Sequence, residues 1–124
     1  MNIKTGGENT MLSRSEQHEN LKREYGSFYE TLTQLLAEYD PMGLMSIPGM
    51  PSNEYDIEVD VILSRLNEAS SPTVLGQIIY ETFVQCFGRT FAPPDQPPSE
   101  RTRVWFEAMG EKAWTSWRRW REET

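Results

Sequence analysis

The sequence predicts an all-α fold: a single-domain bundle of four main helices. Apolar residues recur at spacings of three and four along most of the chain, which is typical of amphipathic helices. A chain of 124 residues can bury roughly two-thirds of its unfolded surface around one core. Its 37% hydrophobic and 25% charged residues indicate a globular protein. We expect residues 1–13 to form a flexible tail and residues 14–124 to form the helical domain.

The first helix is predicted over residues 14–39, because their apolar residues fall on one face. These residues are Leu21, Tyr25, Phe28, Leu32, Leu35, Leu36 and Tyr39. Gly26 weakens the middle of the helix by up to ~1 kcal/mol relative to alanine. Asp40-Pro41 predicts the end, because proline pushes the preceding residue out of helical geometry.

The loop that follows, DPMGLMSIPGMPS, is unusually apolar for a surface connection. Prolines and glycines mark it as irregular. In one interpretation its methionine, leucine and isoleucine side chains fold back as a lid over the core. In the other they form an exposed, adaptable contact surface, since methionine side chains repack easily around a partner.

The stretch NEYDIEVDVI at residues 53–62 alternates acidic and apolar residues, so it fits either a strand or a helix. The helix is favoured, because the pattern continues without a turn residue and no second convincing strand is available to pair with it. On a helix, Tyr55, Val59, Ile62 and Leu66 form a core stripe. Ser52 or Asn53 is then the candidate N-cap.

A second, smaller apolar strip follows from the same helical geometry. Acidic residues flank the core stripe on both sides, and two apolar residues point away from it. Glu54 and Glu58 lie on one side, Asp56 and Asp60 on the other, with Ile57 and Val61 between the glutamates and solvent. Either this helix packs between two neighbours, or it carries an acid-rimmed patch for a basic protein surface. Metal or acid–base chemistry is a weaker interpretation, since no other ligands accompany the carboxylates.

Two further helices are predicted towards the C-terminus. Ser71 and Pro72 suit the start of one and Gly88 its end, and its nearly continuous apolar surface places it at the centre. A proline-rich segment then serves as a rigid connector. The last helix starts at Ser99, and its core stripe is Phe106, Met109, Ala113, Trp117 and Trp120. Its Trp114 side is a candidate contact surface.

Composition and net charge favour some classes of function and disfavour others. The net charge is −7, which disfavours direct nucleic-acid binding and favours basic partners. Residues 14–40 carry −3, residues 41–70 carry −4 and residues 99–124 carry +1. Cys86 stands alone, which predicts no disulfide and a reducing cytoplasm. His18, the single histidine, is expected on a solvated helix face. We therefore predict no metal, cofactor, catalytic residue or membrane span.

The segments LAEYDPMGL and NEYDIEVDVILSRL resemble a family of short, uncharacterised bacterial proteins. In that family a helix ends in a Tyr/Trp-Asp-Pro-x-Gly-Leu turn, and an acidic helix with a Glu-Tyr-Asp start follows. The resemblance covers roughly residues 30–90 and implies a small helical fold. Some look-alikes act as immunity partners of secreted bacterial toxins, including those of contact-dependent growth inhibition.

The predicted function is therefore a non-enzymatic cytoplasmic immunity protein that binds a basic toxin nuclease domain. A small carboxylate- or metal-dependent enzyme and a homo-oligomeric structural protein joined through the Trp-rich helix remain alternatives. The predicted partner-binding residues are Glu54, Asp56, Ile57, Glu58, Asp60 and Val61, with Asp40 adjacent.

Overall fold

Five α-helices dominate the computed structural model, which describes residues 13–50, 54–88 and 98–124. They are α1 (Arg14–Tyr25), α2 (Ser27–Tyr39), α3 (Asp56–Ser64), α4 (Pro72–Phe87) and α5 (Glu100–Glu123). Two short 3-10 helices, Leu44–Ser46 and Leu66–Glu68, flank α3 along the chain. These segments contain no strand, so the predicted all-α class is confirmed. The predicted tail lies outside the described residues, apart from Ser13, which caps α1.

The predicted first helix is interrupted at Gly26, so the described residues form five α-helices where four main helices were predicted. Gly26 adopts φ 52° and ψ −126°, and its N–H donates to the carbonyl of Lys22 at 2.9 Å. This backbone conformation lies outside the helical region and suits glycine, which has no Cβ to clash. The prediction of one continuous helix was wrong, because glycine here ends a helix instead of only weakening it.

The acidic stretch forms a helix, α3, which confirms the helical interpretation. Its predicted core stripe is fully buried: Tyr55, Val59 and Ile62 are 0% exposed, and Leu66 is 1% exposed. Tyr55 occupies the N-cap position without a side-chain cap, whereas the candidate caps Ser52 and Asn53 lie outside the described residues. The apolar period of three and four therefore decided the conformation of this segment.

The ends of α4 and α5 follow their predicted capping residues. The Ser71 side chain accepts from the N–H of Val74, and the Ser99 side chain accepts from the N–H of Thr102. Gly88 ends α4 with φ 56°. Both serines occupy the extended N-cap geometry that satisfies free N–H groups at a helix start. The proline-rich connector at 89–97 lies outside the described residues.

One core joins α2, α3, α4 and α5. Phe83 of α4, which is 0% exposed, lies at its centre, with its ring 5.6 Å from that of Tyr55 and 5.8 Å from that of Phe106. Of the predicted stripe on α5, Phe106, Met109 and Ala113 are buried, whereas Trp117 and Trp120 are half-buried at the core's edge. No helix among residues 13–50, 54–88 and 98–124 is long and apolar enough to cross a membrane.

The apolar loop after α2 covers part of this core. Met42, Leu44 and Met45 are half-buried and pack against it, as the lid interpretation predicts. Ile47 points outward and is 46% exposed. These side chains attach the first part of the loop to the core.

Candidate functional site

The candidate site is the outer face of α3 together with the turn before it, which we call the acidic face: Glu54, Asp56, Ile57, Asp60 and Val61. Ile57 is 46% exposed and has acidic neighbours. Glu54 is exposed, whereas Asp56, Asp60 and Val61 are half-buried. The helix also contacts α1, α2 and α4, so it packs between neighbours and still leaves this strip open.

A shallow groove of about 240 Å³ runs between α1 and α3 beside the acidic face. Its lining combines apolar, polar and charged side chains from both helices: Arg14, Gln17, Leu21, Ile57, Asp60, Val61 and Ser64. Such a mixture of a few apolar contacts with a charged rim resembles the surfaces that proteins use for one another. The sequence pattern predicted the α3 half of this groove but not the α1 half.

Glu58 does not belong to the acidic face, which corrects the expected rim position. It is 5% exposed, and the Cys86 thiol of α4 donates a hydrogen bond to its carboxylate. Burial is the largest cause that raises the pKa of Glu58, and the negative charge of Glu54 adds to it. Burial and Glu58 together raise the pKa of Cys86 to about 11, so this half-buried thiol is a poor nucleophile.

We expect Glu58→Gln to gain stability relative to the parent as the pH rises. An unfolded glutamate ionises near pH ~4.3, whereas folded Glu58 ionises at higher pH because its pKa is raised. Between those two values the folded state holds more protons, so the parent loses free energy of unfolding as the pH increases. Denaturant titrations of both proteins at pH 4, 5.5 and 7 measure this difference. Glu111→Gln, at an exposed position on α5, is the matched control, because the charge of Glu111 is not among the causes of the Glu58 shift. A flat difference for Glu58→Gln would contradict the burial.

Asp40 also points inward, although the sequence placed it beside the partner-binding residues. The Tyr55 hydroxyl donates to Asp40 Oδ1 at 2.7 Å, and the Met45 N–H donates to both carboxylate oxygens at 3.1 Å. The Met42 N–H in turn donates to the Tyr55 hydroxyl at 3.1 Å. Burial, followed by the Asp40 hydrogen bond, raises the pKa of Tyr55. Asp40 therefore fixes the loop after α2 to the start of α3.

His18 is a part of the site that the sequence reasoning missed. Instead of lying on a solvated face, its side chain is 22% exposed, with Nδ1 3.1 Å and 3.2 Å from the two oxygens of Asp60. The Tyr29 hydroxyl donates to Asp60 Oδ1 at 2.8 Å and lies 2.9 Å from the same ring nitrogen. Because a carboxylate only accepts, we assign the proton to Nδ1. Burial, followed by the Asp60 hydrogen bond, raises the pKa of Tyr29.

This group, which we call the Asp60 cluster, joins three helices: Asp60 of α3, His18 of α1 and Tyr29 of α2. His18 Nε2 lies 3.9 Å from Asp56 Oδ2, and Arg14 Nη2 lies 4.0 Å from Asp60 Oδ2. The cluster's partners are separated by 42 and 31 residues along the chain. No local spacing rule connects residues so far apart, which is why the sequence carried no signal for it.

The acidic face offers negative charge, one exposed aliphatic side chain and a shallow groove. Within the described segments, no three His, Cys, Asp or Glu side chains converge in the manner of a metal site. Two of the seven predicted site residues, Asp40 and Glu58, serve the interior. Four of the others, Asp56, Ile57, Asp60 and Val61, lie on α3, and Glu54 lies in the turn before it. The arrangement is thus suited to recognising a surface that carries positive charge beside apolar groups.

No protein-family model matches the chain, and neither a curated protein nor a solved structure is significantly similar to it. The resemblance of residues 30–90 to short bacterial proteins stays a prediction.

Proposed function

We propose that this protein is a non-enzymatic binding protein that contacts a basic protein partner through the acidic face. Its most concrete form is an immunity protein that neutralises a basic bacterial toxin nuclease domain. The observation that supports it is Ile57, 46% exposed on a helix whose neighbouring outward residues are acidic. An exposed apolar side chain with a charged rim is the usual anatomy of a protein-binding surface.

The mechanism would be direct occlusion. Nucleases bind phosphate backbones through Lys and Arg side chains, and carboxylates on a rigid helix can take the place of those phosphates. Glu54 and Asp56 would meet the basic groups, while Ile57 and Val61 would exclude water at the centre of the contact. The net charge of −7 would speed the encounter with a basic partner, mostly at low ionic strength.

The internal residues of the predicted set support this surface without touching a partner. Asp40 holds the N-terminal end of α3 through Tyr55, and Glu58 anchors the helix against Cys86 of α4. A recognition surface needs such support, because a helix that moves loses part of its binding free energy to ordering. We therefore restrict the contact residues to Glu54, Asp56, Ile57 and Val61, with Asp60 at the border with α1.

The double variant Glu54→Lys/Asp56→Lys tests the proposal. We expect it to bind the product of the neighbouring gene, which is the toxin under this proposal, at least about tenfold more weakly, because like charges then face each other across the contact. Isothermal titration calorimetry at low and physiological salt measures the affinity. The matched control is Glu107→Lys/Glu111→Lys, which makes the same change of charge at exposed positions on α5. An equal loss of affinity in both variants would mean that only the net charge matters. Unchanged binding by Glu54→Lys/Asp56→Lys would exclude the acidic face as the binding surface.

A further inference from the structure

Helix α1 lies against the acidic face with little apolar contact. None of its residues is buried, and only Leu21 and Tyr25 pack partly against the core. Tyr25 places its ring 5.9 Å from that of Trp120, close to the C-terminal end of α1. The N-terminal half of the helix is instead held by polar contacts, mainly those of the Asp60 cluster. Helices with few buried apolar contacts open most easily.

Two side chains of α1, Arg14 and His18, lie beside Asp60 and Asp56, where the proposed partner's cations would bind. Arg14 Nη2 lies 4.0 Å from Asp60, and His18 lies within 3.9 Å of Asp56. Arg14 and Leu21 line the groove from α1 and thus present one basic and one apolar side chain to it. This is the same chemistry that the acidic face would recognise in another protein. The charged and titratable groups around the Asp60 cluster are Arg14, Glu19 and Lys22 from α1 and Asp56 from α3.

The local structure of α1 would allow it to undock from the other helices as an intact helix. Ser13 and Glu16 form a capping box, with both reciprocal hydrogen bonds present at 3.0 and 3.1 Å. Lys22 and Arg23 sit in the last turn, where positive charge complements the helix dipole. A helix of 12 residues is marginal alone, so these terminal contacts help to keep it formed after it undocks. At the C-terminal end of α1, Gly26 has φ 52°. It can act as a hinge, because a residue with a side chain would have less backbone freedom at this position.

Asp60 would remain oriented after such a displacement. The Tyr29 hydroxyl belongs to α2, and its 2.8 Å hydrogen bond to Asp60 Oδ1 does not depend on α1. The carboxylate would therefore keep one fixed partner and offer its other oxygen to an incoming Lys or Arg. Loss of α1 would also uncover more of Val61, which is half-buried beside it in the groove.

We propose that α1 is an autoinhibitory arm: it covers the acidic face with its own basic groups and swings away about Gly26 when a basic protein segment binds. This inference rests on the proposed function, because it assumes that the acidic face is the binding surface. The arm weakens the apparent affinity by the fraction of time that it is docked. An arm docked about nine-tenths of the time lowers that affinity about tenfold.

The test compares Arg14→Gln/His18→Ala with Arg23→Gln in the full chain. The control makes the same change in formal charge at an exposed position of α1, where Arg23 contacts only Asn20 of the same helix among the interactions described. Hydrogen exchange measures release of the arm: we expect the amides of α1 to exchange at least about tenfold faster in the double variant alone. Calorimetry with a peptide of six lysines measures competition, and the double variant should bind it at least about threefold more tightly than the control.

Each outcome has a distinct meaning. Exchange of α1 amides at the parent rate would show that the Asp60 cluster does not hold the arm, and faster exchange without tighter peptide binding would show that the arm does not compete. Either result overturns the inference and leaves the proposed function standing. If Glu54→Lys/Asp56→Lys binds the peptide as well as the parent does, the acidic face is not the binding surface. The proposed function then fails, together with the competition, whatever the exchange rates of α1.

Discussion

Gly110→Ala is expected to lower the free energy of unfolding by about 2–4 kcal/mol, although alanine is the better helix former. A Cβ at this position on α5 would lie 2.6 Å from Gly76 N, Gly76 Cα and Pro72 O. All three are backbone atoms of α4, so the clash can be relieved only if α4 and α5 move apart. Helix propensity alone predicts a gain of about 1 kcal/mol. The sign of the measured change therefore tells packing and propensity apart.

Thermal unfolding and denaturant titration measure the effect, and we expect the Tm to fall by about 10 °C. Thr115→Ala is the control, because it places alanine at an exposed position of the same helix and should change stability by no more than about 0.7 kcal/mol. Gly76→Ala should resemble Gly110→Ala, since its Cβ would lie 2.8 Å from the Phe106 carbonyl oxygen. If Gly110→Ala were as stable as the parent, α4 and α5 could not be in backbone contact at this point.

The sequence predicted the features of this fold that depend on local chemistry. Serine at an N-cap, proline at the first helical position and glycine after the last turn act within four residues, so Ser71, Ser99 and Gly88 placed the ends of α4 and α5 correctly. The stripe from Tyr55 to Leu66 likewise follows from helical geometry alone. It separated helix from strand in a segment where alternation of acidic and apolar residues supported both.

Contacts between residues far apart in the sequence determine the features of the site that the sequence did not predict. Periodicity placed Glu58 beside the core stripe, but only the approach of α4 determines that Cys86 covers it. His18 looked solvated because its own helix is polar, whereas the groups that enclose it belong to α2 and α3. No role was predicted for Gly76 or Gly110, because the role of a glycine within a helix can be recognised only when the neighbouring helix is known. The sequence thus predicted the apolar and outward residues of the acidic face, but it did not predict that α1 contacts this face.

Asp40→Ala is expected to lower the free energy of unfolding by about 2–3 kcal/mol. Tyr55 is 0% exposed, and its hydroxyl would lose the acceptor that Asp40 provides at 2.7 Å. The hydroxyl would still accept from the Met42 N–H, but a buried donor left without an acceptor costs about 1–3 kcal/mol. The Met45 N–H would lose its acceptor as well. Asp40 also adopts φ 47°, a left-handed conformation in which alanine lacks the local hydrogen bonds that favour aspartate and asparagine.

Asp40→Asn is the matched control for this change. It keeps the shape, one acceptor oxygen and tolerance of the left-handed conformation, so it should retain most of the stability that Asp40→Ala loses in denaturant titrations. Tyr55→Phe completes a double-mutant cycle. If Asp40 acts through Tyr55, the two losses should fall short of additivity by about 1 kcal/mol or more, because the second change has no hydrogen bond left to break. Strict additivity, or a loss below about 0.5 kcal/mol for Asp40→Ala, would mean that this contact does not join the loop to α3. Binding through the acidic face would then need another explanation for the fixed position of its helix, since Tyr55 occupies the N-cap position of α3, between Glu54 and Asp56.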